Sequence, residues 1–365
     1  MSGLEGLDLS QIPAGTPPPG VIPNFVNPET RANAVTAVSV VMMTITAIMV
    51  TTRLYSNFSS MRKFFIDDYF CAIATVLAFA YTGLILSVNS YFRHQWDLPL
   101  SMVNGWYFKI LYCQNMLLGP TILFGKLAIL FLFLRIFKVN PITRYLIYFC
   151  IFLAFSIGSL NIPLGSIFCT PHPGKTWDDI SIGTRCSKMS IWGVIQSCID
   201  IFLDLLIFVL PIPPVMRLKM STGRKMWITA VFAVAVLGIV SSALVMVYRV
   251  KVWKSIDIAW AQSNLFIFII IEDFVAIIVS CAPACASFVK ATFANMSFSS
   301  IRTFLSGKKS TSASTYPTSS SKAKSYPIPV AHSGSDEQLR DNGNYEMIDA
   351  NESAGWKHAQ SRYQG

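Results

Sequence analysis

A lysine inside an otherwise uncharged run is the first residue in this sequence placed to do chemistry. Lys126 stands within YCQNMLLGPTILFGKLAILFLFLRIF, residues 112–137, a stretch long enough to cross a bilayer as one helix, with the lysine near its middle. At a rise of about 1.5 Å per residue its ammonium is roughly 13 Å from Arg135, which marks the polar end of the run, so snorkelling out would be strained. Its counter-charges stand in two later apolar runs, as Asp200 with Asp204 and Glu272 with Asp273. Asp200 and Asp204, four apart, project from one helix face, where two unpaired carboxylates would repel, so one is protonated or a cation lies beside them. Lys126 and Arg249 are the cations on offer. Glu272 and Asp273 diverge by about 100° around a helix and cannot both face one partner. Such a cluster can bind a ligand, take up a proton, or lock helices together as a structural ion pair, and the residues by themselves weigh function and lock equally.

Catalysis has less behind it. A buried acid can act as a proton donor. The sequence nonetheless contains no phosphate-binding glycine loop, no nucleophile elbow and no metal-ligand cluster among its four histidines. The expectation is a protein that is not an enzyme, with no metal and no cofactor.

The elements that must position these residues follow from composition. Of 365 residues, 53% are hydrophobic and only 13% are charged, beyond the apolar content of ordinary soluble domains. The fold class expected is all-α, a polytopic membrane protein with a seven-transmembrane helix bundle and a disordered C-terminal tail. The net charge of +10 does not imply nucleic acid, because Lys and Arg cluster at the ends of apolar runs. Spans are expected at about residues 33–52, 68–91, 112–137, 144–168, 190–210, 226–250 and 261–288. The fifth ends before Pro211, Pro213 and Pro214, which lack the backbone donor that a helix needs.

Three regions follow: 1–31 as a short extracellular polar N-terminus, 32–290 as the bundle, and 291–365 as a Ser-rich disordered cytoplasmic tail. Residues 1–31 lack the pattern of a signal peptide, so the first span is expected to insert itself. Loop charges barely favour one side, where Arg53, Arg62, Lys63, Arg135, Arg217 and Lys219 fall, and the basic start of the tail tilts the choice to N-terminus outside and C-terminus inside. Cys169 and Cys186 bound a polar loop between spans four and five, which suits a disulfide in an oxidising exterior, with Cys113 as the rival partner. Tyr91, Phe92, His94, Trp96, Trp106 and Tyr107 crowd the loop after span two. They read as an interfacial aromatic belt more readily than as a ligand-access surface.

Taken in order, these residues resemble the fungal seven-span rhodopsin-domain family. The likeness covers about residues 33–290. It is carried by Asp67-Asp68-Tyr69, by Lys126 with Arg135-Ile136-Phe137, by the loop pattern Cys169, Pro171, Trp177, Asp178, Cys186, by Asp204 with Leu210-Pro211-Ile212-Pro213, by Arg249, and by Glu272 with Cys281 and Pro283. It implies a multi-pass plasma-membrane protein of the G-protein-coupled-receptor type. That protein would have the lipid bilayer, an unknown small-molecule ligand and a cytoplasmic signalling partner as its contacts. A transporter, or a membrane-bound enzyme or accessory protein of a secondary-metabolite pathway, is the alternative. Asp200 replaces the family's usual asparagine, and span seven has no lysine to carry retinal.

Overall fold

Runs of apolar residues longer than a bilayer is thick must close their backbone hydrogen bonds within themselves, and a helix does so. The computed structural model describes residues 8–136, 141–179, 181–212 and 222–295. Among them the helices are α1 Ala32–Met61, α2 Ile66–Ser87, α3 Gly105–Ile136, α4 Pro141–Phe168, the short α5 Ser181–Cys186, α6 Met189–Val209, α7 Thr222–Lys254 and α8 Ile258–Asn295. No strand forms among these residues beyond two isolated bridges. Among the described residues seven helices are long and apolar enough to span a membrane, which makes the protein a multi-pass membrane protein. The expected tail, and the basic turn at Arg217 and Lys219, lie outside the described residues.

Neighbours in sequence pack as neighbours in space: α1 and α2, α2 and α3, α3 and α4, α4 and α6, α6 and α7, α7 and α8. Contact of α8 with α1 closes the ring. The helices α3 and α8 also touch each other and bury the largest share of their spans. Large apolar side chains such as Val40, Ile48, Phe152 and Phe155 face outward, while Ser39, Thr46, Asn161, Ser242 and Ser280 are buried. This inverts the arrangement of a water-soluble core and suits a lipid surround. Where α3 crosses α4, Gly119 and Gly158 let the backbones meet. A Cβ on Gly119 would lie 2.5 Å from the Gly158 carbonyl oxygen, and one on Gly158 2.9 Å from Leu123 Cβ.

Several expected boundaries move. Arg53, expected to end the first span as a loop charge, lies inside α1, which continues to Met61. It is 1% exposed. The third helix begins at Gly105, so Lys126 falls in its second half rather than near its middle. The helix α7 runs on to Lys254 and takes Arg249 into its body. The expected break at Pro211 stands, since α6 ends at Val209.

Candidate functional site

Three polar assemblies occupy three levels of the bundle. The central one grows from Lys126. Its ammonium, almost fully buried, lies 2.6 Å from Asp204 Oδ1 and 3.4 Å from Asp200 Oδ1, and donates to the Asp200 carbonyl oxygen at 3.2 Å. All three hydrogens of the lysine are therefore spoken for by α6. Helical spacing of four brings both aspartates to this face, as the sequence implies. Ser242 of α7 extends the assembly, with its Oγ 2.5 Å from Asp204 Oδ2 and 2.8 Å from Glu272 Oε1 of α8. One polar chain thus runs through α3, α6, α7 and α8.

Asp273 stands apart from that chain. It is 7% exposed and its Oδ2 has no hydrogen-bond partner among the described residues. Arg249, offered above as a second cation, makes no ion pair among the described residues, and its Nε has no partner. Its guanidinium instead packs on Gly193, where a Cβ would sit 2.5 Å from Nη1. A crevice lined by Ile122, Ser197, Asp200, Ser242, Val245, Arg249, Ile269 and Glu272 joins the arginine to the acids. It is too narrow in this conformation to take a water molecule. Gln196, one helical turn before Asp200, is 1% exposed, and neither its Nε2 nor its Oε1 is paired.

The second assembly was missed by sequence reasoning. Arg53 reaches Asp67 Oδ2 at 2.6 Å through Nη2 and Asp68 Oδ1 at 2.8 Å through Nε, and Nη1 donates to the Ser280 carbonyl oxygen. Asn57 adds a hydrogen bond to Asp68 Oδ1 at 2.8 Å. Arg135 lies 3.3 Å from Asp67 Oδ2 and 3.4 Å above the Phe65 ring. Part of the signal was present: two adjacent acids at the start of an apolar span need a cation, but Arg62 and Lys63 are nearer in sequence than Arg53, so spacing alone does not select it. Reading Arg53 and Arg135 as orientation charges hid it.

The third assembly replaces the expected aromatic belt at the end that carries the disulfide. Tyr91 and Phe92 are buried rather than lipid-facing, and Tyr91 stacks on Tyr107. His94 lies between Trp96 and Trp260, at centroid distances of 4.7 and 4.1 Å, with Nδ1 2.5 Å from Asp257 Oδ2. Arg31 covers the other part of this stack, 4.4 Å from the Trp260 centroid. Residues 12–30, expected to be a plain polar terminus, pair with this loop through Ala14 N to Leu98 O, Leu100 N to Ile12 O and Asn24 N to Asp97 Oδ1. Trp106 alone of the six aromatics is half exposed in the way a belt requires. Beside the cap, Cys169 and Cys186 are joined, and Cys113 is free.

No group of three or more His, Cys, Asp or Glu residues suited to a metal ion occurs among the described residues. The central chemistry is that of hydrogen bonding and charge.

The model of a family described as the fungal rhodopsin domain matches residues 52–291. Over 295 residues the chain is 27% identical to the "Fugralins biosynthesis cluster protein 2" of Gibberella zeae, a match spanning 77% of this chain and 71% of that protein. It is also 29% identical over 189 residues to a "SAT4 family membrane protein" of Emericella nidulans, across 51% of this chain and 47% of the relative.

Proposed function

The chain belongs to the fungal rhodopsin-domain family, and from that membership and the buried polar chain we propose that it is a seven-helix plasma-membrane receptor. It senses a small ligand with an apolar body and a polar head, and it performs no catalysis. The observation that carries the reading is the set of buried polar groups without partners. Among the described residues, the Gln196 amide, one helical turn before Asp200, and Arg249 Nε, in the crevice with Asp200, meet no hydrogen-bonding atom. Buried polar atoms are paired in the great majority of proteins, so a cluster of exceptions supports a site for a polar group from outside. The Lys126–Asp204–Ser242–Glu272 chain then supplies the route by which ligand contact shifts α6 and α7 against α3 and α8.

In this reading the end with the disulfide faces the exterior and the C-terminus meets a cytoplasmic signalling partner. The test is a reporter response to fractionated fungal culture extract in cells carrying wild type, Gln196→Leu, Lys126→Met or Asp204→Asn. Equal responses at equal surface levels would remove these residues from the site.

A second reading is favoured by the name of the Gibberella zeae relative, which ties that protein to a biosynthetic cluster. The chain would then serve a secondary-metabolite pathway as a transporter or accessory membrane protein. Uptake of labelled lipophilic solutes into vesicles containing the purified protein separates this from a receptor, which moves no solute.

A further inference from the structure

Ser242 has one hydroxyl hydrogen, yet three acceptors surround its oxygen: Asp204 Oδ2 at 2.5 Å, Glu272 Oε1 at 2.8 Å and the Gly238 carbonyl oxygen at 3.0 Å. The Gly238 carbonyl lies one turn back in α7 and takes the helical amide hydrogen, so it makes no further demand. The two carboxyls do. If both were ionised, one carboxylate oxygen would face the serine oxygen with no hydrogen between them, inside a bundle where water cannot repair the loss.

Charge points the same way. Asp200, Asp204 and Glu272 line the assembly against Lys126, with Asp273 beside them, and Arg249 borders the crevice without an ion pair. Tyr81 of α2 lies within electrostatic reach of Asp273, and the charged residue that α1 buries, Arg53, is taken up by Asp67 and Asp68. Fully ionised, the acids would outnumber their cations in a medium that does not screen them. A separate observation falls on α8 itself. Asp273, more than nine-tenths buried, offers Oδ2 to no group among the described residues, which a charged carboxylate cannot sustain in a membrane interior.

We propose that α8 carries a proton-binding site, in which Glu272 holds a proton taken from solution at neutral pH. The Glu272 hydroxyl donates to Ser242 Oγ, Ser242 donates to Asp204 Oδ2, and Asp204 remains ionised because the Lys126 ammonium is 2.6 Å from its other oxygen. The bound proton thereby completes a chain across four helices. Its release to solvent leaves two carboxylates competing for one serine hydrogen. Since Lys126 anchors Asp204, the contact that opens is the one between α7 and α8. The site does not depend on the receptor reading, because a receptor or a transporter could use it.

Infrared spectra of the purified full chain in lipid nanodiscs, recorded from acid to alkaline pH in water and in heavy water, test this. In an Asp273→Asn background, which removes that acid's own signal, the protein is expected to have a protonated-carboxyl carbonyl band at neutral pH that shifts in heavy water, disappears reversibly at alkaline pH and is lost on adding Glu272→Gln. The glutamine keeps a donor for Ser242 and so preserves the fold. Ser242→Ala, which leaves the acid but removes its acceptor, is expected to move the same band to higher frequency. Absence of the band from the Asp273→Asn protein at neutral pH overturns the proposal. So does a band that survives Glu272→Gln but vanishes in Asp204→Asn, or one that Ser242→Ala leaves in place.

Discussion

Two buried cations hold this bundle, and they differ in what surrounds them. Arg53 uses the fork of its guanidinium to bind Asp67, Asp68 and the Ser280 carbonyl at once. Lys126 offers a point charge to two aspartates of one helix. Substituting Arg53 by Met leaves two acids in a dry site and should cost about 3–5 kcal/mol, read as loss of the folded fraction in denaturant or thermal unfolding of the purified protein. Arg53→Lys should recover only part of that, because an ammonium cannot reproduce the bidentate geometry. Outside the spans, Asp179 in the disulfide-bounded loop lies 2.8 Å from Lys175, and that contact, with the Ser181 amide, holds its carboxyl down at about 2. A depressed carboxyl contributes to stability above the ordinary value of about 3.9 and loses that contribution as pH falls toward the folded value. The loop should therefore keep its neutral-pH conformation through mildly acid solution and change only between about pH 4 and 2. Chemical-shift titration of the loop checks this, with Asp179→Asn removing the transition.

At the scale of elements, the crossing of α3 on α4 depends on the absence of two side chains. Gly119→Ala puts a methyl against the Gly158 carbonyl, which is backbone and cannot step aside, whereas Gly183→Ala would meet only the rim of Phe108 at 3.4 Å. The first should cost about 1–3 kcal/mol and the second far less, a contrast that thermal unfolding of the pair measures directly. Sequence periodicity could not reveal this crossing, because a glycine in an apolar span looks the same whether it faces lipid or another helix. The loop between α4 and α6 was more legible. Two cysteines bounding a polar segment in an otherwise apolar chain have few partners, and they close a sequence separation of 17 residues. On the chain-entropy estimate their removal by Cys169→Ser or Cys186→Ser should destabilise the protein by about 3 kcal/mol, with the same loss for both variants.

For the whole molecule, the arrangement of polar groups at three levels divides the labour. The aromatic cap of His94, Trp96 and Trp260 ties the N-terminal segment and the loop after α2 to the start of α8. The Lys126 chain ties α3 to α6, α7 and α8, and the Arg53 assembly ties α1 to α2, α3 and α8 near the opposite end. Helices α1, α2, α3 and α8 each run between the cap and the Arg53 assembly, and α3 and α8 also contact each other. The membrane orientation in the proposed reading makes a direct prediction. An epitope fused ahead of residue 8 should stain on intact cells, one fused after Gly365 should stain only after permeabilisation, and Asn57 in its Asn-Phe-Ser pattern should stay unglycosylated.

Sequence alone determined the number of spans, the face shared by Asp200 and Asp204, and the cysteine loop. Each depends on local quantities: apolar length, helical spacing, and the rarity of cysteine in polar segments. Tertiary structure decided which charges meet. Ser242 carries no signal in an apolar run, yet it is the atom that joins Asp204 to Glu272. Arg53 looked like the end of a span until Ser280, 227 residues away, accepted its hydrogen. Contacts of that kind arise from packing between helices distant in the chain, and no local pattern encodes them. Lys126 bridged the two levels. Its need for a partner was legible from burial in an apolar run, while the choice of Asp204 over Arg249's neighbourhood or Asp273 was made by how α3 and α6 pack.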